Sequence, residues 1–292
     1  MKCAVIGGKG YIGKHLVFYL QRRGAEVFVY DIPNSDEAYY KCVDMTNKES
    51  VAQLNLNVDY VFMFAGLTGT YAGFENFEKF NTINEIGLTN LLDAIRNSVY
   101  RPKVVFPSTR LVYKGFDKPL RETDEKECKT VYAVNKLACE GLLQAFSFSF
   151  DIPYTVFRIC IPYGNMFSSD YSFGTVGFFI KQASEKKDIT LYGGGGNKRT
   201  FTHIEDLCYQ IVEAACRKES DKEVYNVGGE TLSLRQAAEI IANKYGTKVI
   251  SVPWPERDLR IESGHTYFDD RKIQRLIGEM TYKRLEDFSK DI

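Results

Sequence analysis

Apolar residues along this chain follow two alternating rhythms. Short apolar runs at 2–6, 26–30, 59–64, 103–107 and 154–161 read as buried strands. Between them lie stretches with helical spacing. Over 11–24, Ile12, Leu16, Tyr19 and Leu20 fall on one stripe and Gly24 supplies a C-cap, and helices are also predicted over 80–97 and 131–150. Strands that alternate with helices predict an α/β chain built on a doubly wound parallel sheet. Beyond Gly164 the texture changes. The segment 165–174 (NMFSSDYSFG) reads as loop, 175–186 as helix and 192–199 (YGGGGNKR) as a glycine run. A helix at 204–217 and a strand at 223–227 return to the sheet, followed by a helix at 232–245, a strand at 248–252 and two short C-terminal helices. The expected organisation is a sheet domain over 1–164, rejoined by 203–228, and a smaller interleaved lobe over 165–202 and 229–292.

Composition narrows the function classes. The 292 residues are 44% hydrophobic and 26% charged, enough for a sizeable core in one large or two closely packed domains. Lysine plus arginine balances aspartate plus glutamate, 38 against 38, so no net field draws the chain to nucleic acid or an anionic membrane. An anionic ligand must be held by a local site. The apolar run 61–67 (VFMFAGL) is far shorter than the roughly 20 residues that span a bilayer. Residues 1–6 run at once into GGKG, which leaves no apolar centre of a secretory signal. The seven cysteines are odd in number and scattered, with no CxxC pair. They read as reduced thiols in a cytoplasmic protein without a metal site.

The chemistry begins at the first turn. Gly7-x-x-Gly10-x-x-Gly13 lies between the first strand and the first helix, where backbone amides and the helix dipole favour a pyrophosphate. Tyr11 and Ile12 lie within the same turn. Asp31 ends the second strand, placed to accept hydrogen bonds from ribose hydroxyls and to repel a 2′-phosphate, which selects NAD over NADP. Asp44 and Met45, after an apparent third strand, are candidates for the adenine edge.

With Tyr132-Ala-Val-Asn-Lys136 added, the chain resembles the extended short-chain dehydrogenase/reductase family, in particular its nucleotide-sugar epimerases and dehydratases. Further motifs in family order carry the resemblance over most of the chain: Phe64-Ala65-Gly66, 84–92 (NEIGLTNLL), Ser108-Thr109 before Val112-Tyr113, Arg158 through Gly164, and 199–203 (RTFTH) before Asp206. On a helix, Tyr132 and Lys136 share one face, so an ammonium can lower the phenol's pKa and make it a base. The resemblance implies a Rossmann-type domain and assigns catalysis to Thr109, Tyr132 and Lys136, with Lys136 also holding the nicotinamide ribose. It implies that Phe64, Ala65 and Gly66 line the NAD site, and that Arg199 and either Arg257 or Arg260 bind the substrate's phosphates. Ser108 is the neighbour that competes with Thr109 and is a substrate-binding candidate. His203, Asp206, Asn84 and Glu140 read as structural. A homodimer is also implied, pairing the helices at 80–97 and 131–150; Leu137, Leu142, Leu143, Phe146 and Phe148 spread apolar surface over more than one face of the second.

Several positions depart from the family. Its 4,6-dehydratases carry acids after the Thr109 position, where this chain has Arg110 and Leu111, neither able to shuttle a proton. The asparagine that often helps to bind the substrate diphosphate is Ile161. Asn135 replaces a serine, VYKG replaces VYG, and no proline precedes Tyr132. The expectation is an NAD-dependent nucleotide-sugar epimerase acting at C4. A reductase or dehydratase of the same family, and a non-catalytic NAD sensor, are the alternatives. The aromatic segment 71–80 (YAGFENFEKF) is expected either to line a sugar pocket or to pack over the cofactor.

Overall fold

A computed structural model describes residues 1–167 and 173–292. Its strands, in chain order, are β1 (Lys2–Ile6), β2 (Glu26–Asp31), β3 (Tyr40–Cys42), β4 (Tyr60–Met63), β5 (Lys103–Thr109), β6 (Tyr154–Ile159), β7 (Ile161–Tyr163), β8 (Ile189–Tyr192), β9 (Lys198–His203), β10 (Glu223–Asn226), β11 (Glu230–Ser233) and β12 (Val249–Val252). The α-helices are α1 (Tyr11–Arg22), α2 (Lys48–Val51), α3 (Thr70–Glu75), α4 (Phe77–Asn81), α5 (Gly87–Asn97), α6 (Val131–Phe150), α7 (Gly174–Ser184), α8 (Ile204–Ala215), α9 (Leu234–Tyr245), α10 (Glu256–Ile261), α11 (Arg271–Ile277) and α12 (Leu285–Asp291).

A seven-stranded sheet has the order β10-β6-β5-β4-β1-β2-β3. β1 runs parallel to β2 and to β4, β4 to β5, and β2 to β3. Helical crossovers cover both faces of such a sheet, so its central strands are apolar along their length. β1 is buried from Cys3 onward and β5 throughout. On one face, Ile6, Met63 and Phe106 meet Leu88, Leu91, Leu92 and Ile95 of α5 and Cys139 and Leu143 of α6. The four α5 residues recur at i, i+3, i+4 and i+7, one helical stripe. β1 sits between the two wings of the sheet, so the chain reverses direction there and opens a crevice at the strand ends.

The chain divides into two compact units. One comprises Met1–Val112, Thr130–Arg158 and Ile211–Tyr225; the other comprises Tyr113–Lys129, Ile159–Gln210 and Asn226–Ile292. These boundaries differ from the expected ones, and hydrogen bonds give the reason. Segment 113–129 runs beside 265–269, with Phe116 N donating to His265 O, Leu120 N to Tyr267 O and Asp269 N to Leu120 O. The expected strand 154–161 breaks at Cys160, and β7 pairs with β9 in a three-stranded sheet β11-β9-β7. Of the returning segment 203–228, only 211–225 joins the first unit. The second unit also holds the pair β12-β8 and a core of Phe179, Ile180, Phe201 and Ile241, to which Ile161 and Tyr163 belong. Three short C-terminal helices stand where two were expected. Of the predicted loop 165–174, residues 168–172 lie outside the described residues. Among the described residues, no helix is long and apolar enough to cross a membrane.

Candidate active site

The glycine turn is built by close approaches that side chains would block. Gly7 has φ +83°, and a Cβ there would lie 2.4 Å from Ala65 N; one on Gly13 would lie 2.0 Å from Gly7 O. Gly7 N and Gly8 N both donate to Tyr30 O, which fixes the turn against β2. At Gly10 a Cβ meets only Gly7 O, at 3.2 Å. That open side lines a cleft of about 730 Å³ in the first unit. No side chain caps α1, which starts at this point. Open glycine backbone at a helix N-terminus is the environment that a pyrophosphate requires.

Gly7, Gly10, Asp31, Asp44, Met45, Phe64, Ala65 and Gly66 all line the cleft. Tyr11, Ile12 and Gly13 form the start of α1 behind it. Asp31 is oriented by two backbone donors: Lys9 N donates to Oδ2 at 2.8 Å and Ile32 N to Oδ1 at 2.8 Å. Asp44 Oδ1 accepts from Thr46 N and Thr46 Oγ1. Met45 is held by its carbonyl, which accepts from buried Asn90 Nδ2 at 2.9 Å.

The predicted helix 80–97 is interrupted by a π-helical turn, Thr82–Ile86. Such a turn redirects side chains, and here it carries Asn84, whose Oδ1 accepts from Leu67 N at 2.7 Å and whose Nδ2 donates to Leu67 O at 3.1 Å. One side chain thereby fixes the segment that follows β4. The same region supplies cleft residues that sequence reasoning missed: Leu67, Lys79, Thr82 and Ile83. The motif at 84–92 is their nearest signal in the sequence. Segment 71–80 lies in α3 and α4, and its Glu78 and Lys79 line the same cleft as the glycine turn.

Strand β5 and helix α6 bring the predicted catalytic residues together. Thr130 caps α6 by accepting from Ala133 N at 3.1 Å, which sets the helical phase of Tyr132 and Lys136. Thr109 ends β5, and its hydroxyl hydrogen-bonds the Tyr132 phenol. Burial pushes that phenol up to about 12, with the Thr109 bond pulling it down. Burial pulls Lys136 down to about 8, opposed by Cys139 and Glu140. A Cβ on Gly66 would lie 4.0 Å from Lys136 Nζ, so the ammonium reaches the cleft wall.

Ser108 points elsewhere, as strand alternation requires. Its Oγ donates to Glu140 Oε1 at 2.5 Å, and Arg158 grips the same carboxylate through Nε at 3.0 Å and Nη2 at 2.6 Å. The geometry thus brings Thr109, not Ser108, to Tyr132. Asn135 Nδ2 donates to Asn81 Oδ1 at 2.8 Å and to Glu85 Oε1, away from the phenol.

In the second unit Arg199 is 1% exposed, and its Nη2 pairs with Glu262 Oε1 at 2.6 Å. Its Nη1 donates to Lys198 O at 2.8 Å and to Gly264 O. Much of its donor capacity is therefore spent inside the protein. Arg257 lies exposed on α10, and Arg260 pairs with Glu256 one turn away. Asp206 accepts from Lys283 N at 2.7 Å, and His203 packs edge-on against the Tyr163 ring.

The family model described as the NAD dependent epimerase/dehydratase family matches residues 3–228. The chain belongs to that family. Like its relatives, this epimerase/dehydratase family member is an NAD-dependent enzyme, and the glycine cradle, the oriented Asp31 and the cleft volume fit that cofactor. It is 26% identical to a UDP-N-acetyl-alpha-D-glucosaminuronate decarboxylase of Bacillus cytotoxicus over 87% of this chain and 84% of that one. It is also 26% identical to a UDP-glucuronate 4-epimerase of Thermodesulfobacterium geofontis, over 98% and 95%. The X-ray structure of Pal from Bacillus thuringiensis superposes with a TM-score of 0.86 at 25% identity, covering 99% and 97%.

Proposed function

We propose that this family member is a nucleotide-sugar epimerase acting at C4 through a transient 4-keto sugar. The observation that carries the reading is the Thr109–Tyr132–Lys136 arrangement, with Arg110 and Leu111 following Thr109. Tyr132 Oη takes the proton of the C4 hydroxyl and later gives it back, while Thr109 Oγ1 hydrogen-bonds the same oxygen. Lys136 supplies the positive charge that favours the phenolate and holds the nicotinamide ribose. The cleft lined by Gly7, Gly10 and Asp31 would hold NAD, which would supply reversible hydride transfer at the sugar carbon. Leu111 carries no ionisable group and Arg110 keeps its proton, so no second acid/base stands beside Thr109 to eliminate water. For the ketone to turn over, binding must come chiefly from the nucleotide diphosphate and little from the sugar. The names of the relatives, which act on UDP-sugars, support that substrate class.

The proposal includes a homodimer through the helices at 80–97 and 131–150, supported by exposed Val134 and Phe148 on α6. It also places the protein in the cytoplasm, supported by cysteines scattered without disulfide spacing.

The test has two steps. Mass spectrometry of nucleotide released by heating should find NAD, and a screen of UDP-sugars should then find epimerisation with no net change in absorbance at 340 nm. Tyr132→Phe should lose more than about a hundredfold in turnover while still binding NAD. Predominant NADP, or stoichiometric consumption of reduced cofactor, overturns the epimerase reading in favour of a reductase. Near-normal turnover by Tyr132→Phe removes its assignment as the base.

A further inference from the structure

The Lys136 ammonium is enclosed, and among the described residues no acid forms an ion pair with it. The residue is 5% exposed. The acid closest along its own helix, Glu140, is already gripped by Arg158 through two nitrogens and bonded by Ser108. What faces Lys136 Nζ is aromatic: its centroid distance to the Phe106 ring is 4.4 Å, and to the Tyr132 ring 5.9 Å. Phe106 is itself 2% exposed, in the middle of β5, so the ring cannot swing away and water cannot replace it. An aromatic face carries negative quadrupole density, and it attracts a cation most strongly where water is excluded.

We propose that Phe106 is a positioning residue, its ring face serving as the electrostatic partner that keeps Lys136 protonated and aimed into the cofactor cleft. The proposal rests on the reading of Lys136 as the group that holds the nicotinamide ribose. Burial, opposed by Cys139 and Glu140, pulls Lys136 down to about 8, so a modest loss of cation stabilisation would discharge it near neutral pH. The ionisable groups around it are Tyr132, Cys139 and Glu140 on α6, Glu85 on the π turn and Arg158 on β6. On β5, Val104, Phe106 and Ser108 share the face toward α6 and none of them carries a charge, while Lys103 lies on the other face, bonded to Ala215 O and Ser220 Oγ. Phe106 is therefore the group on β5 able to tune the charge without itself titrating.

The experiment grades the quadrupole without altering shape. In the full-length protein, Phe106 is replaced by 4-fluoro-, 3,5-difluoro- and 3,4,5-trifluorophenylalanine, and by leucine and tyrosine. NAD affinity is then measured by calorimetry from pH 6.5 to 10. The expected wild-type affinity falls as pH rises and the ammonium is lost. The midpoint of that fall should move stepwise to lower pH with each fluorine, by about half a unit or more in total. Phe106→Leu should move it at least as far, and Phe106→Tyr should keep it near wild type. A midpoint that does not respond to fluorination overturns the proposal and leaves the ring a packing role. If the leucine variant fails to fold, the fluorinated series still decides. A wild-type affinity flat over the whole pH range removes the ribose-holding role of Lys136, and this proposal with it. Failure to find a sugar substrate bears on the epimerase reading alone, because the readout is NAD binding.

Discussion

A tyrosine held near 12 by burial is a weak source of phenolate, and a lysine pulled to about 8 by burial holds its proton weakly. Each condition bears on the other, because a phenolate beside an ammonium is a better pair than either charge alone. The free protein bears the cost of Lys136 before any ligand arrives. Its folded pKa of about 8 lies below the unfolded value of about 10.4. The penalty for a buried charge is therefore fully present below pH 8 and fades as pH rises toward the unfolded value. Lys136→Met should accordingly stabilise the cofactor-free protein at pH 7 by roughly 1–3 kcal/mol, and by much less at pH 10. Urea midpoints at the two pH values measure the difference, and an equal effect at both contradicts the assignment. Asp31 admits a second prediction at this scale. Two backbone amides hold its carboxylate in the cleft, where it would repel a 2′-phosphate. Asp31→Ser should narrow the preference for NAD over NADP by at least about tenfold in Kd ratio, on the scale of one lost charge repulsion of over 1 kcal/mol.

At the scale of elements, α6 shows why some features were legible and others were not. Its bounds follow directly from Thr130 as N-cap and an unbroken apolar pattern, and the helix found is Val131–Phe150 as expected. Tyr132, Lys136 and Glu140 recur every fourth residue along one face. Chemistry that depends on such local spacing can be read from sequence. The π turn at Thr82–Ile86 was not legible, because it arises from the Asn84 bonds to Leu67, a partner distant in sequence. β8, β9 and β11 were missed for a similar reason. They are short, and no apolar run marks 198–203, which becomes a strand by pairing with β7 and β11. Arg199 carries the lesson to the site: its sequence neighbours resemble a phosphate-binding motif, while its partner Glu262 lies far along the chain. The Glu140–Arg158 pair beneath Ser108 is also a product of tertiary packing. Glu140→Ala takes away the buried carboxylate that Arg158 Nε and Nη2 grip and should cost about 3–5 kcal/mol of stability. Chemical denaturation measures it, and a loss under about 1 kcal/mol would mean that water or another acid replaces the carboxylate.

For the whole molecule, the outward face of α6 presents Val134, Ala138, Gly141, Ala145 and Phe148 at alternating steps of four and three, the spacing of a helix-packing seam. Val134 is 51% exposed and Phe148 78%. Gly141 stands in the middle, and a Cβ there would meet nothing within 4 Å. An exposed glycine inside a helix costs about 1 kcal/mol relative to alanine, and no contact among the described residues requires it. Close approach of a second copy would require it, since small residues let helix backbones come near. Gly141→Leu tests this with little risk to the fold, because leucine is a better helix former by up to about 1 kcal/mol and has open space around it. The variant should melt no lower than the wild-type protomer and retain the cleft, yet sediment as a monomer at micromolar concentration, where the wild type should sediment as a dimer. A variant that remains dimeric removes α6 from the interface. A wild type that is already monomeric removes the dimer itself, and the glycine then has no partner to explain it.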